Sequence, residues 1–291
     1  MNYADPRALV LGPQARALAP VRDAPTLSHA AADLLREIEV IDEHGKRRAI
    51  AVPRERPLSV IFDDRELVTL MTLGGAPEWL VLGYLRNQRL LGDLKAVASI
   101  TVDLTTGCAR VRSRGGAPAF KPPNAVSAAT GCGLGSAFAD LMTHSQGMML
   151  PDSSAARIGR STLLSILQTM RSHDDIHRAA GSVHSCAVFH AADLWASIED
   201  VSRHNGIDTI TGWMALHGVD GGDKILFTSG RLTGEMVMKA AFNAIPILIT
   251  RNGVTAMGHE LALRLGMTLF GRANNNRYLC YSGAERFDPS L

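Results

Sequence analysis

The sequence predicts an α/β protein, α+β overall, in which helices cover a mixed sheet and a smaller α+β domain occupies the N-terminal side. Strand and helix patterns alternate after residue 224, which indicates a sheet with at least one parallel pair. Short strands with one helix fill an earlier stretch, and a segment rich in glycine and proline, Arg114 to Asn124, separates the two. The predicted division is an N-terminal extension (1–45), a small α+β domain (46–126) and a larger domain (127–291).

Prolines and turn residues set the predicted elements of the N-terminal part. Four prolines within residues 1–26 exclude a helix of any length there, so this stretch is predicted to be an extension or a partly ordered arm. Leu34 to Ile41 is predicted to be a strand or a short helix that ends in a turn. A helix begins at Pro77, because proline suits the first helical turn. Two hairpins are predicted around it, Leu58–Phe62 with Leu67–Leu73 and Val97–Leu104 with Ala109–Arg112.

The larger domain shows the period of helices and the short apolar runs of buried strands. Its predicted elements are a helix at Ser161–Met170, a strand at Ala187–His190, a strand at Lys224–Thr228, a helix at Leu232–Asn243, a strand at Ile245–Thr250, a helix at Thr255–Leu265, and strands at Met267–Phe270 and Arg277–Tyr281. In such sheets the functional residues lie on loops beyond the carboxyl ends of the strands.

Composition excludes several classes of protein. The chain has 291 residues, 46% of them apolar, and its 30 Lys and Arg residues against 28 Asp and Glu give a net charge of +2. That balance argues against a protein that binds mainly to nucleic acid. No apolar run reaches the roughly 18 residues of a membrane span, and the N-terminus lacks the pattern of a secretory signal. A soluble, cytoplasmic protein is expected, without nucleic-acid or membrane partners.

The four cysteines show no pattern of a disulfide framework or a metal site. No pair forms a CxxC motif, so neither disulfides nor a structural metal are predicted. His184-Ser185-Cys186 lacks the Pro-Cys-x-x-Cys partner and the glutamate of a zinc nucleobase deaminase, and we interpret it as structural or as part of a cleft wall. A deaminase would need zinc.

Cys132 is the exception that the sequence singles out. It lies within Thr130-Gly131-Cys132-Gly133-Leu134-Gly135-Ser136, where three glycines let the backbone turn freely and approach a partner closely. Backbone N–H groups in such a loop can lower the pKa of a thiol. The alternative is a tight turn with an incidental cysteine, because a free cysteine is more often buried than reactive.

Residues 198–208 form a second polar segment with two competing interpretations. It contains acidic residues together with Arg203, His204 and Asn205. If the segment is helical, Asp200, Arg203 and His204 share one face. It is then either a solvated helix with surface ion pairs, which the residues alone slightly favour, or a polar cluster lining a cleft with His204 as a proton carrier.

Three further segments suit an anionic ligand. Ser229-Gly230-Arg231 and Arg251-Asn252-Gly253 follow successive predicted strands and precede helices, where a helix N-terminus and an arginine can hold an anion. The third is a polar loop between two strands, made of Arg272, Ala273, Asn274, Asn275, Asn276 and Arg277. Each of these segments alone is also compatible with an ordinary turn.

The motifs together resemble the formate dehydrogenase accessory protein family, FdhD or NarQ. The resemblance covers most of the chain, and the motifs occur in the family's order: Glu55-Arg56-Pro57-Leu58, the Cys132 loop, Glu199-Asp200-Val201-Ser202-Arg203-His204-Asn205, Ser229-Gly230-Arg231, Glu235-Met236-Val237, Lys239 and Ile245-Pro246.

This resemblance implies a fold, an activity and partners. The larger domain would be similar to the cytidine deaminase fold without its zinc, in a homodimer. The activity would be that of a sulfurtransferase, which accepts persulfide sulfur from a cysteine desulfurase on Cys132. It would pass the sulfur to the bis-molybdopterin guanine dinucleotide cofactor for formate dehydrogenase or a related molybdoenzyme. The loop Arg272–Arg277 would bind the cofactor, in a cleft with the Cys132 loop, His204-Asn205 and Ser229-Gly230-Arg231, and with Arg251 as a further phosphate donor.

Three departures from the family pattern leave a second function open. Gly135 and Ser136 replace the second Cys-Gly of the loop, Ser202 and Thr209 replace a Gly and a Lys, and the loop at 272–277 carries fewer charges. A lone cysteine can still carry a persulfide, since one sulfur suffices for attack and transfer. The alternative function is a chaperone that binds the molybdenum cofactor without sulfur chemistry.

Overall fold

The computed structural model describes residues 8–115, 150–152 and 156–291. The strands there are β1 (Leu9–Leu11), β2 (Thr26–Leu27), β3 (Leu35–Ile41), β4 (Arg47–Pro53), β5 (Arg56–Phe62), β6 (Arg65–Thr72), β7 (Val97–Asp103), β8 (Cys108–Ser113), β9 (Ile158–Gly159), β10 (His184–His190), β11 (Asp193–Asp200), β12 (Lys224–Thr228), β13 (Ile247–Thr250), β14 (Thr268–Asn274), β15 (Arg277–Ser282) and β16 (Phe287–Asp288). The α-helices are α1 (Pro13–Arg16), α2 (Pro77–Asn87), α3 (Arg160–Ser172), α4 (Asp175–Ala180), α5 (Arg203–Leu216), α6 (Gly234–Phe242) and α7 (Ala256–Leu265).

A mixed seven-stranded sheet forms the centre of the molecule. Its strand order is β1-β11-β10-β12-β13-β14-β15, with β12, β13 and β14 parallel and the other neighbours antiparallel. Helices connect the parallel strands, as a parallel pair requires. The predicted alternation of strand and helix after residue 224 is therefore confirmed, and so is the mixed sheet.

Alternating side chains along these strands build two cores, one on each face of the sheet. Val188, Leu226 and Leu248 face the helices α5, α6 and α7. The neighbouring residues, among them Phe189 and Phe227, face α3 on the opposite side. This two-residue period is the expected consequence of strand geometry. Strands β12 and β13 are buried on both faces of the sheet. This explains why their sequences are continuous apolar runs, the feature from which both strands were predicted.

A five-stranded sheet, in the order β2-β7-β8-β5-β6, forms the smaller α+β unit together with α2. Both predicted hairpins are present as β5–β6 and β7–β8. The helix predicted to begin at Pro77 does so, and nearly all of its side chains are buried because it lies between this sheet and α5. The predicted smaller unit is thus a layer packed closely on the larger one.

Two glycines set how closely the two units approach. A methyl group on Gly83 of α2 would lie 1.7 Å from the carbonyl oxygen of Asp208, and one on Gly212 of α5 would lie 2.0 Å from that of Trp79. Both distances are far below van der Waals contact, so only glycine permits this helix crossing. Asn87 of α2 strengthens the crossing by donating to Asp208 Oδ1 (2.7 Å) and Thr211 Oγ1 (2.9 Å).

The N-terminal segment, predicted to be an extension or a partly ordered arm, pairs with both sheets. Its first strand, β1, lies along β11 at one edge of the larger sheet, and β2 pairs with β7 of the smaller sheet. The hairpin β3–β4 runs across the predicted boundary at residue 45. The four prolines still limit helix here to the four residues of α1, but strand pairing orders the chain where local sequence does not.

The polar segment 198–208 does not form a solvated helix, and that slightly favoured interpretation is wrong. Residues up to Asp200 belong to the buried strand β11, which was not predicted, and Ser202 caps the helix that begins at Arg203. Eleven of the fourteen residues of that helix are buried. Asp200 therefore does not share a helix face with Arg203 and His204, because the chain changes from strand to helix between them.

Candidate functional site

One edge of the larger sheet gathers most of the predicted site segments. Strands β11, β12, β13 and β14 end at this edge, and β10 begins there, since His184 pairs with Asp200 and Cys186 with Thr228. Backbone bonds join the loops that follow: the N–H of Leu232 donates to Gly253, and that of Arg272 donates to Asn252 (2.7 Å). We call this the site edge. It lies at the carboxyl ends of the parallel strands, where the sequence analysis predicted the functional loops.

Asp200 and Asn205 join the site edge to the smaller unit. Buried Asp200 accepts hydrogen bonds from Thr72 Oγ1 (2.5 Å), the N–H of Leu73 (3.1 Å) and Asn205 Nδ2 (2.7 Å). The same Asn205 nitrogen donates to the carbonyl of Met71 (2.6 Å). Predicted as a cofactor contact, Asn205 is a buried side chain whose amide nitrogen is engaged within the protein.

His204 sits beside a buried charge cluster. Its Nδ1 lies 3.4 Å from Glu235 Oε1, which is 3.4 Å from Lys239 Nζ, and this ammonium is in turn 2.8 Å from Asp208 Oδ2. Burial, aided by the positive charge of Lys239, lowers the pKa of His204 to about 4. Burial alone would lower the pKa of Lys239, but Asp208 and Glu235 outweigh it and hold that pKa above its ordinary value. His204 is thus a neutral imidazole at physiological pH, beside a charged lysine.

At Gly230, the Ser229-Gly230-Arg231 turn closely approaches the side chain of Arg203. A methyl group there would lie 2.7 to 3.3 Å from three side-chain carbons of Arg203, so the absent side chain lets Arg203 lie across the turn. Ser229 Oγ accepts from the N–H of Ser185 (2.9 Å) and lies 3.4 Å from His184 Nδ1. Arg231 is exposed.

Arg251 forms an ion pair within the protein. Its Nη1 forms an ion pair with Asp174 Oδ2 at 2.5 Å, and Ser185 Oγ donates to the other oxygen of that buried carboxylate (2.6 Å). Because a charge-assisted pair of this kind is strong, Arg251 is not a freely available phosphate ligand. Its Nη2 is buried without a hydrogen-bond partner.

The predicted loop Arg272–Arg277 is the tip of the hairpin β14–β15: β14 extends to Asn274, β15 begins at Arg277, and only Asn275 and Asn276 lie between the strands. Ala273 is fully buried, while Arg272, Asn274, Asn275, Asn276 and Arg277 are exposed. Arg272 and Asn275 adopt positive φ angles of 50° and 52°, and Asn275 accepts a hydrogen bond from Arg171 of α3 (2.5 Å). The turn therefore presents its polar side chains to solvent, at the side of the site edge formed by β14.

Unsatisfied polar atoms concentrate near this edge. In the described residues, seven buried side-chain nitrogen or oxygen atoms lack a hydrogen-bond partner, and four of these belong to Arg203, His204, Thr233 and Arg251. Buried polar atoms are almost always paired, and those left unpaired in a native protein point to a missing ligand or water. Three of these four atoms are nitrogens of arginine or histidine side chains, so the chemistry of the set fits an acceptor-rich, anionic group.

The three cysteines within the described ranges, Cys108, Cys186 and Cys280, all lie in strands. Burial raises the pKa of the Cys186 thiol strongly, and also raises that of Cys280 on the edge strand β15. Cys108 is half-buried at the start of β8. A raised pKa leaves little thiolate at neutral pH, and the thiolate is the nucleophile. Cys132 and its glycine loop lie outside the described residues.

The described ranges contain neither a cluster of metal-ligating side chains nor a membrane-spanning helix. No group of three or more His, Cys, Asp and Glu side chains there is placed to hold a metal ion. No helix of the described part is long and apolar enough to cross a membrane.

Comparison with known proteins identifies the chain. The model of the FdhD/NarQ family matches residues 53–288, which include both sheets' main strands and every segment of the site edge. The chain belongs to the FdhD/NarQ family. Among relatives of this FdhD/NarQ protein, the sulfur carrier protein FdhD of Halalkalibacterium halodurans is 26% identical over 255 residues, which cover 86% of this chain and 93% of the relative.

Two further matches agree. The sulfur carrier protein FdhD of Bacillus subtilis is 27% identical over 237 residues, 80% of this chain and 88% of that protein. The crystal structure of a formate dehydrogenase accessory protein from Desulfotalea psychrophila superimposes with a TM-score of 0.70 at 23% identity, covering 87% of this chain and 98% of the other. The latter likeness shows the FdhD/NarQ fold of this chain.

Sequence reasoning missed several residues of the site edge in this FdhD/NarQ protein. Arg203 was noted only as part of a motif, yet it lies across Gly230. Asp208 and Asp174 were not considered, although each holds a cation near the site edge. The signal that could have found Asp208 is its position in a helix interior beside small and apolar residues, where an unpaired carboxylate would be costly.

Proposed function

We propose that this chain is a sulfur carrier in the cytoplasmic maturation of formate dehydrogenase. It takes persulfide sulfur from a cysteine desulfurase onto Cys132 and passes it to the bis-molybdopterin guanine dinucleotide cofactor. Family membership and the names of the relatives support the sulfur-carrier role. The observation that carries the proposal is the site edge, where three separate motif segments meet around unpaired polar atoms.

The choice of Cys132 as the carrier rests on its position in the family's cysteine loop and on the glycines beside it, and the properties of the other thiols support it. Of the other thiols, Cys186 is fully buried and both Cys186 and Cys280 have raised pKa values. Cys108 lies in the smaller sheet, where it is paired with Asp103 across the hairpin. The glycines on both sides of Cys132 would give it the exposure and the backbone donors that a nucleophilic thiolate needs.

The loading step is a thiol–persulfide exchange. The Cys132 thiolate attacks the outer sulfur of the desulfurase persulfide, the S–S bond of the donor breaks, and the desulfurase thiolate leaves. Cys132 then carries the sulfur as its own persulfide. One nucleophilic sulfur suffices for this exchange, so the replacement of the second loop cysteine by Gly135 does not prevent it.

The residues of the site edge supply what the cofactor would need. Exposed Arg231, Arg272 and Arg277 can present planar guanidinium groups to its phosphates. A ring nitrogen of neutral His204 can donate a hydrogen bond to a polar group of the ligand or accept one from it. Because Gly230 has no side chain, the Arg203 side chain can lie across the turn. Arg251 stabilises the site edge through its ion pair with Asp174.

Persulfide labelling tests this function. Incubation with a cysteine desulfurase and cysteine is expected to add one sulfur atom per chain to the wild type, as detected by mass spectrometry of the intact protein. Cys132→Ser is expected to abolish this addition, whereas the control Cys280→Ser, which removes an exposed thiol of the same chain, retains it. A persulfide mapped only to Cys108, Cys186 or Cys280 would contradict the proposal.

A cofactor-binding chaperone without sulfur chemistry is the second candidate. Gly135 favours it, since the family's second loop cysteine is absent. The two functions differ in one result: tight binding of the cofactor without any labelling of Cys132 supports the chaperone. Either function would act on formate dehydrogenase or a related molybdoenzyme, and we propose a homodimer for both, which light scattering of the purified protein measures.

A further inference from the structure

A small pocket lies between the N-terminal segment and the ends of two helices. Its volume is about 300 Å³. The walls are formed by Pro20, Pro25 and Leu27 of the N-terminal segment, Trp79 of α2, and Leu216 and His217 at the end of α5. Since His204 lies at the other end of α5, roughly 20 Å along the helix axis, the pocket is separate from the site edge.

Hydrogen bonds between these three parts of the chain fix the shape of the pocket. The N–H of Val21 donates to the carbonyl of Leu216 (2.9 Å), which attaches the N-terminal segment to α5. Buried Glu78 accepts from Ser28 Oγ (2.5 Å) and from the N–H of Ala30 (2.7 Å), which attaches the same segment to α2. The two helices are themselves in close contact at their crossing. The pocket is therefore preformed, as small-molecule sites usually are.

Aromatic rings form one wall of the pocket. The rings of Trp79 and His217 meet edge to face, with their centroids 6.1 Å apart and an angle of 87° between their planes. The ring of buried Trp213 packs against His217, with centroids 5.3 Å apart, and supports it. The side chain of Trp79 is only half-buried. Because aromatic faces and edges pair with other rings, this wall favours a flat, apolar ligand.

His217 gives this wall one hydrogen-bond acceptor. Its Nδ1 lies 2.9 Å from the carbonyl oxygen of Trp213, and since a carbonyl oxygen only accepts, Nδ1 carries the proton. In the neutral imidazole the other nitrogen, Nε2, is then an acceptor, and it forms no hydrogen bond with any residue of the described ranges. Among the described residues that line the pocket, none is an acid, a lysine or an arginine. The lining therefore suits an uncharged ligand with a single donor.

We propose that this pocket binds a small, uncharged heteroaromatic molecule whose ring carries one N–H donor, of the kind that indole represents. The ring packs against Trp79 and the prolines, and its N–H donates to His217 Nε2. A volume of about 300 Å³ is at the lower end for small-molecule sites, which fits one or two fused rings. The proposal does not rest on the sulfur-carrier function.

Calorimetric titration with indole and 1-methylindole tests the pocket, because the two probes differ in the N–H donor. The wild type is expected to bind indole about tenfold more tightly than 1-methylindole, the order of one hydrogen bond. His217→Phe keeps an aromatic ring but loses the acceptor, and it is expected to bind the two probes equally. The matched control His44→Phe, which changes an exposed histidine in the turn between β3 and β4, is expected to behave as the wild type does.

A second variant fills the pocket instead of altering its acceptor. Thr26 lines the pocket and is exposed, so Thr26→Trp is expected to abolish indole binding without removing a core contact, and thermal unfolding checks that the variant is folded. Indole binding that survives in Thr26→Trp, or a wild type that does not bind indole saturably, overturns the proposal. Tighter binding of N-acetyltryptophanamide than of indole would assign the pocket to a side chain of a partner protein and overturn a free small molecule.

The same samples separate this pocket from the sulfur-carrier function. Thr26→Trp is expected to retain persulfide labelling of Cys132, since the pocket and the site edge lie at opposite ends of α5. Loss of labelling in the wild type with indole binding intact would reject the sulfur-carrier function alone. Labelling without any indole binding would reject the pocket alone.

Discussion

Near the site edge, the pKa values of His204 and Glu199 are shifted in opposite directions. Burial lowers the pKa of His204 to about 4, and burial, with Asp174 and Asp175 adding to it, raises that of Glu199 to about 7. Glu199 accepts hydrogen bonds from the N–H groups of Ile176 (2.8 Å) and His177 (3.0 Å), which oppose the rise without cancelling it. Each residue therefore makes stability depend on pH.

The signs of the two dependences differ. Between its ordinary pKa of about 6.5 and about 4, His204 is neutral in the folded chain but protonated when unfolded, so stability is lost as the pH falls. Between about 4.5 and 7, Glu199 is protonated in the folded chain but ionised when unfolded, so stability is lost as the pH rises. Each effect is on the order of 3 kcal/mol across its window.

Urea unfolding from pH 4 to pH 8 separates the two. Relative to the wild type, Glu199→Gln is expected to gain stability as the pH rises from 5 to 7.5, because it lacks the group that ionises unfavourably. His204→Gln is expected to gain stability relative to the wild type as the pH falls from 6.5 to 4. Parallel pH profiles for the wild type and both variants would contradict these pKa values.

At the scale of elements, the crossing of α2 and α5 is expected to be the most sensitive contact of the fold. Gly83→Ala places a methyl group 1.7 Å from the carbonyl oxygen of Asp208, and the helices must separate to admit it. Overpacking of this kind costs about 1–3 kcal/mol or more, which exceeds the roughly 1 kcal/mol that alanine gains over glycine in a helix.

Chemical unfolding of Gly83→Ala and Gly212→Ala measures this cost, and each variant is expected to be destabilised. Gly92→Ala is the control, since nothing lies within 4 Å of the added methyl group and its φ angle is ordinary. Separation of the helices also strains the bonds from Asn87 to Asp208 and Thr211. An alanine variant at Gly83 as stable as the wild type would mean that the helices are not in this close contact.

At the scale of the whole molecule, the N-terminal segment ties the two units together. Strand β1 pairs with β11 and forms the edge of the larger sheet, while β2 pairs with β7 of the smaller one. Ala15 of α1 is buried in the core that lies between the larger sheet and its helices. Uncovered strand edges promote association between chains, so this segment protects as well as stabilises.

Removal of residues 1–18 is expected to lower the unfolding temperature and to cause aggregation, because β11 then presents its ladder to solvent. Removal of residues 1–7, which leaves β1 in place, is the matched comparison and is expected to have a smaller effect. Differential scanning calorimetry and light scattering measure both. Equal unfolding temperatures for the two truncations would show that β1 does not contribute to the fold.

Local signals in the sequence were enough to predict several of the elements. Apolar runs of strand length predicted β12 and β13, turn residues predicted both hairpins of the smaller unit, and a proline marked the start of α2. Motif order predicted the family, because so many short patterns in one sequence order are specific. The placement of Ser229-Gly230-Arg231 beyond a parallel strand also followed from the sequence, since carboxyl ends of parallel strands share an edge.

Which polar residues are buried, and which partners they bind, depends on how the chain folds. Residues 198–208 look like a solvated helix because a charged side chain in sequence carries no sign of the partner that buries it. Thr72 and Leu73, more than a hundred positions away, bind Asp200, and Lys239 binds Asp208. Arg251 and Arg203 both lie near strand ends. Arg251 forms an ion pair with Asp174, whereas the Nε of Arg203 has no hydrogen-bond partner. Such pairings depend on contacts between distant segments, which local sequence does not encode.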